Sequence, residues 1–253
     1  MAYREHNRRA WSYLAGGKDA STRPWNPNEV PDPKALLDPH SWIPWAEVHS
    51  VLCLAAGGGQ QGPLFASLGM RVTVFDLSVQ QLEADRRAAE QAGLAIDTVE
   101  GDMADLNAFS DCQFDLVYQP ISSQYVPDIR QVYREALRVT RPGGCYWVEH
   151  WNPAQIQLSE RRAWDGEAYR IIHPHGTGVP LAWEHATDGD EPAVSWNYVH
   201  SLETLIGGLC DAGFVIMHFA ERHDADLEAP PGSTAHISAY IPTFLSTFAQ
   251  RPF

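Results

Sequence analysis

The sequence predicts an α/β fold in which a doubly wound, mostly parallel sheet carries helices on both faces. Three observations lead to it. Between about residues 51 and 150, short apolar runs alternate with polar, helix-patterned segments, as in a parallel sheet covered by helices. A glycine-rich turn, Gly57-Gly58-Gly59-Gln60-Gln61-Gly62, follows the first apolar run. A carboxylate, Asp76, closes the second.

The elements can be justified in order. The first 50 residues are rich in Pro, Trp and Asn, and RPWNPNEVPDPKALLDP reads as an irregular but ordered covering segment behind a first helix that carries Trp11 and Tyr13. Five strands follow: VLCLA, RVTVFD, AIDTVEGD, FDLVYQ and CYWVEH. Between the second and third, LSVQQLEADRRAAEQAGL is a helix, with Ser78 and Gln81 as a capping box and Gly93 as its stop. Between the fourth and fifth, VPDIRQVYREALRVTRPGG puts Ile129, Val132, Tyr133, Ala136 and Leu137 on one face before Pro142-Gly143-Gly144 ends the helix. The pattern turns irregular after Trp151. In HSLETLIGGLCDAGF, Leu202, Leu205, Ile206 and Leu209 then follow helical spacing, and Gly213 suits a C-cap. FVIMHF and AHISAYI read as an antiparallel pair at one sheet edge, completing seven strands. No internal repeat is present.

A chain of 253 residues can bury one large core. A single domain is expected, with an N-terminal cap (1–48), a core (49–150), a second cap (151–199) and a C-terminal helix with an edge hairpin (200–253). The 18 Lys and Arg face 32 Asp and Glu, and a net charge of -14 would repel a phosphate backbone, so no nucleic-acid partner is expected. No apolar run reaches the roughly 20 residues that span a bilayer, and MAYREHNRRAW lacks the apolar centre of a secretion signal. The expectation is no membrane partner and a cytoplasmic location. Cys53, Cys112, Cys145 and Cys210 form no Cys-x-x-Cys pair and read as reduced thiols without structural zinc. All eleven His, and every Trp except Trp147, fall outside residues 51–149. Two readings fit that distribution: packing of caps on the sheet, and an aromatic, proton-accepting substrate wall.

A glycine turn between strand and helix lets a ligand approach the backbone, and the helix N-terminus favours an anionic group there. Gly57-x-Gly59-x-x-Gly62 has the spacing of a dinucleotide loop, and Asp76 stands where a carboxylate accepts from both ribose hydroxyls. These features suit NAD and S-adenosylmethionine alike. In the usual dinucleotide fingerprint, however, the first glycine follows the strand directly, whereas here Ala55-Ala56 intervene and Pro63 follows Gly62.

In these residues the sequence resembles the class I S-adenosylmethionine-dependent methyltransferases, whose loop reads (D/E)-x-G-x-G-x-G. Cys53, Ala55, Gly57 and Gly59 align with its acid and three glycines. The chain departs from that pattern twice, since Cys53 supplies no carboxylate and Ala55 carries a methyl group. Asp76 in VFDLS resembles the family's ribose-binding acid, Gly101-Asp102-Met103 its adenine-binding turn, and RVTRPGG its LRPGG element. More narrowly, CLAAGGGQQGP, PISSQY and NRRAW resemble a bacterial group with CLAxGGGQQ loops. The resemblance implies a Rossmann-like sheet with N-terminal and post-strand-5 caps. It also implies S-adenosylmethionine held by Ala55, Gly57, Gly59, Gln61, Asp76, Leu77, Gln81, Asp102, Met103 and Gln119.

The activity it implies is methyl transfer to a small molecule by in-line displacement, in which the protein aligns the nucleophile and excludes water. A hydroxyl acceptor needs a base, and ligands sit beyond the carboxyl ends of parallel strands. His150, at the end of the fifth strand, is therefore the candidate general base, and Trp11, Tyr118 and Trp151 are candidate acceptor contacts. Tyr118-Gln119-Pro120 is only partly similar to the Asn/Asp-Pro-Pro-aromatic motif of amino-group methyltransferases. His173-x-His175 with His185 could be read as metal ligands, but Pro174 and the loop context favour a solvated loop, and no metal is expected. A homodimer is compatible with the sequence. The alternatives are a non-catalytic S-adenosylmethionine-binding protein of the same fold and an NAD(P)-dependent oxidoreductase.

Overall fold

The computed structural model describes residues 2–15, 20–158, 164–176, 178–185, 193–222 and 224–253. Its main sheet contains β1 (Ser50–Leu54), β2 (Arg71–Asp76), β3 (Asp97–Glu100), β4 (Phe114–Gln119) and β5 (Thr140–Trp151). A separate antiparallel pair is formed by β6 (Leu181–His185) and β7 (Ala193–Asn197), and the main sheet is completed by β8 (Val215–Arg222) and β9 (Phe244–Gln250). The seven strands lie in the order β3-β2-β1-β4-β5-β9-β8. The first five are parallel, and β9 runs antiparallel to both β5 and β8.

Because side chains alternate across a strand, each strand feeds two cores. Leu52, Leu54, Val117, Tyr146 and Val148 face one side, packing against α5 (Ile129–Val139). Val51, Cys53, Val74, Leu116 and Trp147 face the other. There they meet residues of α2 (Pro33–Leu37), α3 (Gln61–Ser67) and α4 (Val79–Gln91). On α5 the residues Ile129, Val132, Tyr133, Ala136 and Val139 are all 0% exposed. Burying each large aliphatic side chain there contributes roughly 1.5–3 kcal/mol. The N-terminal helix α1 (Ala2–Leu14) packs mainly on β7 and also touches α4.

Several expected elements differ in detail. The helix expected to run up to Pro142 ends at Val139, with Thr140 already extended and its hydroxyl donating to the Ala136 carbonyl at 2.7 Å. A residue before proline avoids the helical region, so Arg141 cannot continue the turn. Pro142-Gly143-Gly144 instead lies within β5, where Phe114 pairs with Thr140 but Leu116 already pairs with Cys145. Gly143 takes a φ of +73° there. Downstream, Glu203–Gly207 forms a π-helical turn before the short α-helix of Gly208–Ala212, which Gly213 caps at a φ of +112°. Leu202 lies at the start of that turn and is 54% exposed, so it does not join Leu205 and Leu209 in the core. AHISAYI is not a strand: Thr234–Ser238 is helical, capped by Ser233, whose hydroxyl accepts from the His236 N–H. The strand paired with β8 is Phe244–Gln250, and it lies inside β8 rather than at the edge.

Candidate functional site

The strand order reverses between β1 and β4, which opens a crevice at their carboxyl ends. A cavity of about 720 Å³ lies there, within the range of roughly 300–1,000 Å³ common for small-ligand pockets. Its wall includes Ala55, Gly57, Gln61, Asp76, Leu77, Gln81, Asp102, Met103, Trp11 and Tyr118.

The loop after β1 is shaped by two carboxylates. Ala55 adopts a φ of +50° as its N–H donates to the Phe75 carbonyl at 2.7 Å. Asp76 accepts from the Gly57 N–H at 3.0 Å and, through its other oxygen, from the Ser78 N–H at 2.9 Å. Burial raises the Asp76 carboxyl above its ordinary value. Ser78 caps α4, accepting from the Gln81 N–H at 3.3 Å. The expected capping box is only half made, because Asp76 already takes the Ser78 N–H. The Gln81 amide donates instead to the Trp11 carbonyl at 2.8 Å, tying α1 to the cavity wall.

The second carboxylate, Asp85 on α4, does not belong to the set expected from the sequence. It is 0% exposed and accepts from the Gly58 N–H at 2.7 Å. Gly58 and Gly59 hold φ values of +129° and +79°, a region that favours glycine. At Gly62 a Cβ would stand 2.5 Å from Val74 Cγ2, so only glycine lets the start of α3 sit this close to the sheet. Burial pushes the Asp85 carboxyl up to about 8. Nothing in the local sequence separates Asp85 from an ordinary polar helix residue.

At the β3 end, Asp102 accepts from the Ala104 N–H at 2.9 Å, while Tyr3 and Arg4 of α1 engage its other oxygen. Gly101 is required because a Cβ would fall 2.2 Å from the Phe75 ring. Asn7 joins α1 to its surroundings, bonding the Tyr125 carbonyl at 3.0 Å and both backbone groups of Trp196.

At the β4 and β5 ends, the Tyr118 hydroxyl donates to the Leu37 carbonyl at 3.0 Å and its ring stacks on Trp147 at 4.9 Å. Glu149 also reaches the wall, held by Arg222 at 3.1 and 3.3 Å and by the Ser246 hydroxyl at 3.2 Å. Arg222 also donates to Asp224 at 3.3 Å. Among the described residues of the wall, Arg222 is the one Lys or Arg, against Asp76, Asp102, Glu149 and Asp224.

Four expected site residues are not in that wall. The Gly59 carbonyl accepts from the Trp25 N–H at 2.9 Å, and a Cβ on Gly59 would meet Ala84 and Pro24. Gln119 is 1% exposed and donates to Ser122 at 2.8 Å while accepting from Tyr146. Trp151 packs edge-on against Trp183 at 4.7 Å. His150 is 0% exposed, with the Ser123 hydroxyl 2.6 Å from Nδ1 and the Tyr133 hydroxyl 3.5 Å from Nε2. The Tyr133 O–H donates to the Leu205 carbonyl at 3.1 Å, so Nε2–H points at Tyr133 and Nδ1 accepts from Ser123. Burial, helped by His200, drives this imidazole down to about 3. It therefore stays neutral and enclosed, outside the cavity wall.

His185 bonds Ser195 at 3.0 Å and meets Trp11 edge-on at 5.2 Å. Among the described residues no three His, Cys, Asp or Glu side chains gather as a metal-binding group, and no helix is long and apolar enough to cross a membrane.

The family profile described as a methyltransferase domain matches residues 52–148. The chain is 37% identical over 185 residues to YbaJ of Bacillus subtilis (strain 168), described as an uncharacterized methyltransferase, covering 72% of each chain. A crystal structure of an S-adenosylmethionine-dependent methyltransferase from Mesorhizobium loti superposes with a TM-score of 0.63 at 23% identity, covering 83% of this chain and 94% of that one. A second structure is geranyl diphosphate C-methyltransferase from Streptomyces coelicolor A3(2), in complex with Mg²⁺, geranyl diphosphate and S-adenosyl-L-homocysteine. It aligns with a TM-score of 0.63 at 15% identity, over 99% of this chain and 98% of that one.

Proposed function

Because the chain belongs to the class I S-adenosylmethionine-dependent methyltransferases, we propose that the cavity binds this cofactor beside a neutral or cationic small molecule, to which its methyl group passes. The observation that carries the reading is the single cavity shared by the glycine loop, the acids ending β2 and β3, and the ends of β4 and β5. Family membership also sets the oxidoreductase alternative aside.

The residues fit the cofactor. A carboxylate offers about four acceptor sites, and backbone N–H groups of Gly57 and Ser78 take two of those on Asp76, leaving capacity for a ribose hydroxyl. Met103 and Leu77 supply apolar surface for the adenine, with Asp102 beside them. The acidic wall suits a sulfonium. When bound, the cofactor supplies the electrophilic methyl carbon, and the chain's work is alignment and exclusion of water. Trp11, Asn7 and Tyr3 of α1 cover the cavity, while Tyr118 and Glu149 bound its far end. Arg222 is already engaged by two carboxylates, so an anion as large as a diphosphate would find no free cation among the described residues of the cavity wall. That is the reason for assigning a neutral or cationic acceptor. His150 has no part in this scheme, and an acceptor nucleophilic without a base needs none.

Calorimetry tests the cofactor: S-adenosylhomocysteine should bind in the micromolar range and NAD should not. Tight NAD binding without an effect of S-adenosylhomocysteine would remove the assignment. Incubation with labelled S-adenosylmethionine and a metabolite extract tests turnover. Transfer to any small molecule above the no-protein control separates an enzyme from a binding protein of the same fold.

A further inference from the structure

Gly58 and Gly59 stand in left-handed backbone that must be held before a ligand arrives if the loop is to be a preformed cradle. The strand beneath offers no acceptor for them. Its side chain at this level, Cys53, is a fully buried thiol that burial keeps protonated. The acceptor comes from α4. Asp85 Oδ2 takes the Gly58 N–H at 2.7 Å. Its Oδ1 is buried without a partner and lies 3.2 Å from where a Gly62 Cβ would stand.

We propose that Asp85 is the positioning residue of the cofactor loop, fixing Gly58, and through it the adjoining Gly59, from beneath in a role that no side chain of β1 fills. The proposal rests on reading the loop as the cofactor's cradle. It has a consequence for pH. A charged carboxylate with an unpaired oxygen in an enclosed site is costly, whereas the neutral acid is tolerated. Burial sets its titration at about 8, with Asp76 at the end of β2 adding to the rise and Arg86 on α4 opposing it. The neighbouring Cys53 on β1 is uncharged. A cofactor lying over the loop excludes more water, so it favours the protonated form, and affinity falls as pH rises past that point.

The test is S-adenosylhomocysteine binding by calorimetry between about pH 6 and 9.5, on the whole chain and on its Asp85→Asn and Asp85→Ala variants. Asparagine keeps an acceptor for Gly58 and places an N–H where the acid carries its O–H. At pH 6.5, Asp85→Asn should bind within about threefold of the parent and Asp85→Ala about tenfold more weakly. Above pH 8, the parent should weaken relative to Asp85→Asn by up to about tenfold per pH unit, the limit for one proton. Taking the ratio of the two cancels ionisation of the ligand. Parallel profiles, or an alanine variant that binds as tightly as the parent, would overturn the role of Asp85 and leave the cofactor reading intact. If the alanine variant does not fold, the asparagine ratio decides alone. A parent that binds no S-adenosylhomocysteine at any pH overturns both.

Discussion

His150 gives the protein a defined weakness to acid. In the unfolded chain an imidazole titrates near 6.5, whereas burial holds the folded one neutral down to about 3. Its contribution to stability is therefore complete above about pH 6.5 and is lost as pH falls, because only the unfolded chain takes up the proton. Between pH 7 and pH 5 those two values give a loss of about 2 kcal/mol, a large share of a typical 5–15 kcal/mol of stability. The perturbation is His150→Gln, read by urea denaturation at both pH values. The variant should be less stable at pH 7, having lost packing and the Ser123 and Tyr133 contacts, but it should lose about 2 kcal/mol less on acidification than the parent. His200 and the other titrating groups are present in both chains and largely cancel. Equal losses in parent and variant would refute the reasoning, and would mean that His150 meets solvent in solution.

Three other outcomes follow from the cavity. Asp76→Ala should weaken S-adenosylhomocysteine binding by about 1–3 kcal/mol in calorimetry, the value of hydrogen bonds to a charged acceptor; an unchanged constant would place the ribose elsewhere. Gly57→Ala would set a Cβ 2.7 Å from Gln81 Cβ and 2.9 Å from Asp76 Cγ. Such overpacking should cost about 1–3 kcal/mol in thermal unfolding and distort the loop enough to weaken cofactor binding more than the melting shift alone implies. Glu149→Gln removes one negative charge from the far end of the wall. Once an acceptor is identified, its KM should rise if it is cationic, with S-adenosylhomocysteine affinity within about twofold of the parent; a cofactor affinity that fell with the acceptor's would put Glu149 at the wrong end of the cavity.

The parallel half of the sheet was legible because its strands are short apolar runs separated by helices with clear caps, as at Ser78 and Gly93. The C-terminal part was less so. AHISAYI has the β-branched and aromatic content of a strand, yet Ser233 supplies an N-cap and the segment winds into a helix, a local capping signal outweighing a weak propensity. FLSTFAQ runs in pairs of apolar and polar residues without the alternation of a half-buried strand, and no sequence pattern states that it inserts between β5 and β8. In the site, Asp76, Asp102 and Tyr118 were legible from their places at strand ends. Arg222 and the carboxylate of Asp85 were not, because one arrives from the antiparallel edge and the other looks like a solvated position until the loop folds over α4. His150 shows the opposite failure: position along the strand was read correctly, but which way the ring faces is set by α5 and by Ser123.

The interleaving of β9 between β5 and β8 matters most when the sheet edge opens locally. Among the described strands β9 is the one partner of β8, so loss of that pairing leaves β8 without any. β8 leaves Val215, Met217 and Phe219 51%, 49% and 46% exposed even after folding, and the bulge between Ile216 and His218 turns Val215 and Phe219 to opposite faces. A chain whose sheet edge has opened thus presents an unpaired, partly apolar strand, free to pair with another chain. Association through this edge then follows from local opening rather than from global unfolding, so it can proceed while the rest of the sheet stays folded.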